Sequence, residues 1–396
     1  MKRISTFLTG IALLGAARSG PAQVTGTTFI TGFELGSLAE GFGTLNGGSV
    51  QSAVKRSGTY AYEARPIYSN QTIVFASRSS GGVLRPVFKS ARFYINVAQL
   101  PLNGSVSIVK IGGAATLNPE VDLNFDGTLT LADSLYPAIA RSSNALAPDG
   151  LWHRVEFDVG SGLRVYVDGV LWASGGTNSY PAGVAISFGA GQSPTFVNTT
   201  CDLFFDDILV SGNSFGRNLP GDGHAVLLKP VSDMTNNSWT GGAGATWGLW
   251  GGVDHAPAQG RSVSGSTNGS QIKNGSHGSG QTYSPAVQTY ASAGVTGTVN
   301  AVMALSNDGQ ETANGAAKTG SVWIASNPSQ GTGYSFDFGD ASGVIGQFPL
   351  GWASHSGPVS SSPAVNLAAS PVVAVQKTGG ANVDVDFLGV YVDYRP

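Results

Sequence analysis

From Phe29 onward, apolar and polar side chains alternate with a period of two, and clusters of Gly, Asn, Asp, Ser and Pro break the alternation about every 8 to 15 residues. A strand turns successive side chains to opposite faces, so this pattern predicts short strands joined by turns, as in a β-sandwich or barrel. Arg154 to Val159 places Val155, Phe157 and Val159 on one face and Arg154, Glu156 and Asp158 on the other. Leu163, Val165 and Val167 repeat the scheme. Asp168-Gly169 then offers two residues that tolerate positive φ, which predicts a hairpin returning through Val170-Leu171-Trp172. Further strands are predicted at Ile73 to Ala76, Phe93 to Val97, Val106 to Ile111, Leu203 to Val210, Thr298 to Leu305, Ser321 to Ala325 and Tyr334 to Phe338. No stretch beyond residue 25 carries the 3.6-residue period of an amphipathic helix.

The 396 residues are enough for two cores. Residues 217–223, within Gly216-Arg217-Asn218-Leu219-Pro220-Gly221-Asp222-Gly223, combine turn formers with a proline and read as a linker. The closing strand Val383 to Val392 echoes Cys201 to Val210 at the end of the first half. The expected fold is therefore all-β, with two β-sandwich (jelly-roll-like) domains in tandem at 25–216 and 224–396, behind a short N-terminal segment, 1–24. Gly260 to Gly280, rich in Gly, Ser and Asn, is expected to be a long loop.

Residues 29 to about 215 resemble the concanavalin A-like lectin/glucanase superfamily in its laminin-G-like branch. Three stretches carry the resemblance: "FITGFELGSLAEGF", which is similar to the first edge of such a domain; "GLWHRVEFDVGSGLRVYVDGVLWAS", similar to its Trp-led strand and hairpin; and "CDLFFDDILVSG", similar to the closing strand that pairs beside the first. The second half resembles β-rich modules of bacteriophage tail-associated proteins. The resemblance implies a sandwich that presents a glycan-binding or cell-surface-binding face on a virion.

Composition narrows the chemistry. Only 11% of residues are charged, against about 25% in a typical domain, while Gly numbers 57. The net charge is −3 with no basic run, so nucleic acid is not an expected partner. Met1-Lys2-Arg3 followed by an apolar run from Phe7 to Ala17 has the layout of a secretory signal, and a retained docking segment is the alternative reading. The apolar run is shorter than the roughly 20 residues of a membrane span. Cys201 is single and reads as a small buried hydrophobe; it does not fix the compartment.

No catalytic constellation is expected. The chain has six glutamates, and the carboxylate pairs at i,i+2 taken as candidates, Glu156/Asp158 and Asp384/Asp386, alternate with apolar residues and read as solvated outer faces. The five histidines form no metalloprotease motif. Asp122 to Asp133 matches the spacing of a calcium loop, yet Val121, Leu123, Phe125 and then Leu129, Leu131 alternate around Asp126-Gly127, so a hairpin is expected and no metal or cofactor. Trp172, Tyr180, Trp239, Trp247, Trp250 and Asp254 are the candidate carbohydrate-binding residues, since a flat aromatic face stacks on a sugar ring while a carboxylate takes its hydroxyls. Core anchoring is the competing role for the tryptophans.

The resulting expectation is a non-enzymatic virion structural or adhesion protein of a phage tail or capsid surface, with glycan or host cell surface and other virion proteins as partners, assembled as a homo-oligomer or array. A secreted bacterial glycan-binding protein is the alternative, and a glycan-degrading enzyme is disfavoured by the carboxylate pattern.

Overall fold

A computed structural model of the chain describes residues 27–233 except 35, 37–43, 67–69, 77, 81–82, 86, 113–116, 177–179, 192–198 and 217–218; beyond them it describes 240–241, 272–273, 282–283, 285–310, 319–325, 334–337, 348–350, 372–379 and 383–396. The architecture is all-β, with no α-helix among the described residues.

Two antiparallel sheets build the first sandwich. Sheet A runs in the order β15 (Val170–Gly175), β14 (Leu163–Val167), β13 (Trp152–Val159), β8 (Ser90–Gln99), β17 (Asp202–Ser211), β4 (Ala61–Ala64), β3 (Ser49–Gln51), and β1 (Thr27–Thr31) also pairs with β17. Sheet B runs β12 (Ala140–Ala145), β11 (Thr128–Ala132), β10 (Glu120–Asn124), β9 (Ser105–Gly112), β16 (Ala185–Gly191), β5 (Gln71–Ala76), β2 (Thr44–Leu45). A small side hairpin joins β6 (Arg78–Ser80) to β7 (Val83–Arg85). The inward rows of both sheets, including Phe75, Phe93, Val121, Leu131, Phe157, Phe188 and Phe205, form one apolar core. Aromatic rings meet edge-on at its centre: Phe93 and Phe188 lie 5.3 Å apart at 71°.

The strand and turn expectations hold here. Val155 pairs with Val167 and Val159 with Leu163, and the turn between β14 and β15 has Asp168 at φ 52° and Gly169 at φ 81°. Positive φ at both central residues matches the right-handed twist of the flanking strands. The closing strand β17 does pair beside β1. Cys201 is buried just before β17, and burial pushes its thiol up to about 12, so it is an inert part of the core.

The second half carries a six-stranded sheet, β20 (Thr240–Gly241), β21 (Ile272–Lys273), β29 (Val383–Arg395), β24 (Thr298–Gln310), β27 (Phe348–Leu350), with β18 (His224–Leu228) added on β29. A four-stranded sheet orders β22 (Thr282–Tyr283), β28 (Val372–Gly379), β25 (Thr319–Ala325), β26 (Tyr334–Asp337), and β19 (Pro230–Asp233) pairs with β23 (Pro285–Val287). Of Gly260 to Gly280, all but Ile272–Lys273 lies outside the described residues.

The outer face of sheet A departs from the expectation of a solvated surface. Glu156 and Asp158 are fully buried. Asp158 accepts hydrogen bonds from Ser90 Oγ (2.8 Å), Ser214 Oγ (2.7 Å) and the Phe215 N–H (2.7 Å), and Glu156 accepts one from the Gly221 N–H at 3.0 Å. The chain leaving β17 lies across this face, so its polar row faces protein instead of water. The side chains of Asp384 and Asp386 lie outside the described residues.

The stretch expected to be a linker is itself packed. Leu219 rests against an apolar cluster of Ile30, Leu209, Phe215, Ala225, Leu227, Ala301, Met303 and Tyr391, which draws on both halves. Arg56 binds Asp207 at 2.6 Å and Asp222 at 2.7 Å, donates to the Gly223 carbonyl at 2.7 Å, and lies 3.4 Å over the Tyr94 ring. Tyr94 bonds Asp222 through its hydroxyl, and the Gly223 N–H donates to that hydroxyl at 3.1 Å. A Cβ on Gly223 would lie 2.0 Å from Arg92 Nη1, so only glycine lets the backbone pass this closely.

Candidate functional site

The candidate carbohydrate-binding residues do not converge. Trp172 is half-buried against the core of the first sandwich. Tyr180 is 1% exposed and donates to Asp133 Oδ2 at 2.8 Å, so neither face of its ring is open for stacking. Trp239, Trp247, Trp250 and Asp254 lie outside the described residues.

The 122–133 motif forms the expected hairpin, Asp122 opposite Thr130 and Leu123 opposite Leu129. Two of its three carboxylates are taken up locally: Asp133 Oδ1 accepts from the Leu135 and Tyr136 N–H groups at 2.8 and 2.9 Å, and Asp126 pairs with Arg141 at 2.6 Å.

The same hairpin holds a carboxylate pair that sequence reading passes over when it starts the motif at Asp122. Glu120 and Asp122 sit at i and i+2 of β10, so both project from the outer face of sheet B while Val121 and Leu123 enter the core. Cross-strand register puts Lys110 and Ala132 beside Glu120, Ser107 and Thr130 beside Asp122, and Ser187 beside Lys110. The row is therefore polar and mostly small. Both carboxyls are 1% exposed. Lys110 Nζ lies 2.9 Å from Glu120 Oε2, whereas Asp122 Oδ1 receives no hydrogen bond among the described residues.

Burial pushes the Glu120 carboxyl above the ordinary carboxylate range, with Lys110 opposing. Asp122 is held well above it, first by burial and then by the charge of Glu120. The row thus gathers buried acceptors and hydroxyls beside one partly exposed ammonium, Lys110. The next position along the row is Asn124, whose amide donates to the Thr128 carbonyl and Thr130 Oγ1, both at 2.9 Å, and has no proton to transfer at working pH. A complete list of i,i+2 acids would have found Glu120/Asp122; their burial has no sequence signal.

No protein-family model matches the chain, and no curated protein does. Among solved structures, a Trypanosoma rangeli sialidase in complex with the inhibitor DANA is similar at 13% identity and a TM-score of 0.32, over 43% of this chain and 28% of the sialidase. The chain thus spans just over a quarter of that enzyme. The cellulose induced protein Cip1 is similar at 13% identity and a TM-score of 0.36, over 47% of this chain and 97% of Cip1. The Crh5 transglycosylase in its apo form is similar at 13% identity and a TM-score of 0.34, over 51% of this chain and 93% of that one. Likeness at this level says nothing about what this chain binds or catalyses.

Proposed function

We propose that the chain is a non-catalytic glycan-binding protein displayed on an exterior surface, a virion in the first instance, with the outer face of sheet B as the ligand site. The observation that carries this reading is the Glu120, Asp122, Lys110, Ser107 row: buried acceptors with incomplete partnering among the described residues, edged by the partly exposed Lys110. Sugar hydroxyls supply the donors such acceptors lack. Low charge and high glycine content suit close packing against identical neighbours, and repetition of a shallow, weak site yields avidity. A secreted bacterial glycan-binding protein is the second reading, favoured by the signal-like layout of residues 1–22, and it shares the same site.

The test is calorimetric titration of the intact protein with soluble bacterial polysaccharides, beside a reducing-end assay on the same samples. Binding that weakens about tenfold or more in Lys110→Ala, without release of reducing ends, supports the reading. Turnover that disappears in Glu120→Gln would replace it with a hydrolase.

A further inference from the structure

The connections from β8 to β9, β10 to β11, β12 to β13 and β14 to β15 all lie at one end of the first sandwich. Strand β8 ends beside the starts of β13 and β17, β9 starts beside the end of β10, β11 starts beside the end of β12, and β14 ends beside the first half of β13. The chain leaves for the second half from the opposite end, at Ser211 of β17, which pairs with Ser90 at the start of β8. Of the eight large apolar side chains exposed among the described residues, five stand at the first end: Leu102 (68%), Phe125 (56%), Leu151 (60%), Val170 and Leu171. Single apolar residues scattered over a surface are ordinary, but a crown of them on adjacent turns marks contact with an apolar partner.

Two further features select that partner. The backbones at the tips are already satisfied: the Phe125 N–H donates to the Gly104 carbonyl at 3.0 Å, the Gly127 N–H to the Asn124 carbonyl at 2.9 Å, the Leu102 N–H to the Thr200 carbonyl at 3.2 Å, and the Leu151 N–H to Asp149 Oδ1 at 2.9 Å. An apolar medium would leave none of these groups unpaired. The same turns, 100–104, 125–127, 146–151 and 168–169, carry Asp126, Asp149 and Asp168 and no lysine or arginine. These aspartates are 37 to 53% exposed between the apolar tips. We propose that this crown inserts into the surface of a bilayer of zwitterionic phospholipids. The apolar tips enter below the head groups, and the aspartates face the ammonium groups that lie outermost on choline or ethanolamine lipids. Separate projecting tips suit a fluid layer that closes around each of them. Anionic lipids set further negative charge against three aspartates and are disfavoured. The inference does not depend on the glycan reading; it adds a second contact with a cell surface.

The experiment floats the intact protein on a density gradient with phosphatidylcholine vesicles, at low and at high salt, and with vesicles enriched in phosphatidylglycerol. The protein is expected to float with phosphatidylcholine, to stay bound in high salt because the contact is apolar, and to bind less as phosphatidylglycerol is added. Leu102→Ser and Phe125→Ser should each weaken partitioning about tenfold, and the two together should abolish it. Melting temperatures should be retained, since both side chains stand outside the core. Leu135→Ser, an exposed apolar residue past the opposite end of β11, should change nothing. Phe125→Cys carrying a polarity-sensitive dye locates the contact, because Cys201 is buried; its emission should shift to the blue when phosphatidylcholine vesicles are added. Absence of flotation, flotation unchanged in the Leu102→Ser, Phe125→Ser pair, or flotation that requires phosphatidylglycerol overturns the inference. So does self-association, seen by light scattering, that the same pair abolishes while vesicles go unbound, since a second copy would then cover the crown. Each of these outcomes leaves the polysaccharide titration to decide the glycan reading on its own.

Discussion

Arg92 in the first sandwich and Asp393 near the end of the last strand form a forked ion pair, Nη1 to Oδ2 at 3.1 Å and Nη2 to Oδ1 at 2.5 Å, with both side chains fully removed from solvent. Their partners complete the fork: Arg92 Nη2 also donates to the Asp207 carbonyl at 3.2 Å, and Asn300 Nδ2 donates to Asp393 Oδ2 at 3.0 Å. The pair spans 301 residues of sequence and ties the outer face of sheet A to β29. Two charges removed from water return little net energy, but either one left alone is heavily penalised.

Asp393→Asn or Arg92→Met is therefore expected to lower unfolding free energy by about 3 to 5 kcal/mol. The double replacement Arg92→Met with Asp393→Leu should regain most of that loss, because no lone charge remains. Urea unfolding of the three variants measures it. Single variants within 1 kcal/mol of the parent would show that the fork does not hold the two halves together.

Glu34 gives the interface a pH dependence. It is buried, its carboxylate accepts the Thr59 N–H at 3.0 and 3.1 Å, and its own N–H donates to the Tyr391 hydroxyl at 3.1 Å. Burial raises its pKa from 4.5 to about 7, against the pull of the Thr59 N–H and Lys229. The folded state then holds a proton that the unfolded chain has released. Stability from this group is complete below about pH 4.5 and is lost as pH rises to about 7, a change on the order of 3 kcal/mol. Glu34→Gln should flatten this part of the stability curve; an unchanged slope would count against the assignment.

The strands were legible where one face meets the core. Val155, Phe157 and Val159 alternate because the core demands it, and Asp168-Gly169 announces its turn through the backbone conformations those residues tolerate. The opposite row was not legible. Glu156 and Asp158 look the same in sequence whether water or the Ser214 to Gly221 segment covers them, and here it is the segment. Arg92 and Asp393 are too far apart for any local pattern to join them. The site was half legible: Glu120-Val121-Asp122 declares that two acids share a face, but the single lysine that serves one of them comes from a neighbouring strand through register.

The β10–β11 hairpin depends on Gly127. Its φ is +80°, a Cβ there would lie 2.1 Å from the Leu146 carbonyl oxygen, and the Leu146 N–H donates to the Gly127 carbonyl at 2.8 Å, which holds the two backbones together. Both conformation and space are denied to any other residue. Gly127→Ala is expected to cost about 2 kcal/mol or more, read as a lowered urea midpoint with unchanged slope. Because Asp126 and Asp133 spend their carboxylates on local bonds, added calcium should leave the melting temperature unchanged; a rise abolished by Asp122→Ala would make the segment a metal site.

The two halves can be separated to ask what each owes the other. Every residue of the main core lies between Phe29 and Val210, so residues 25–216 retain the apolar burial that drives the first sandwich and should keep a β-type far-UV circular dichroism spectrum alone. That fragment loses Asp222 for Arg56, the Gly221 N–H for Glu156 and Asp393 for Arg92, leaving buried charges on the outer face of sheet A exposed to water. Hydration then replaces the lost partners, while Ile30, Leu209 and Phe215 lose their apolar cover. The expected fragment is folded but melts below the full chain, and adding residues 224–396 in trans should restore part of the difference by mass action. Loss of β signal in the 25–216 fragment would mean that the halves fold as one unit, and an unchanged melting temperature would mean that the contacts across sheet A contribute nothing to its stability.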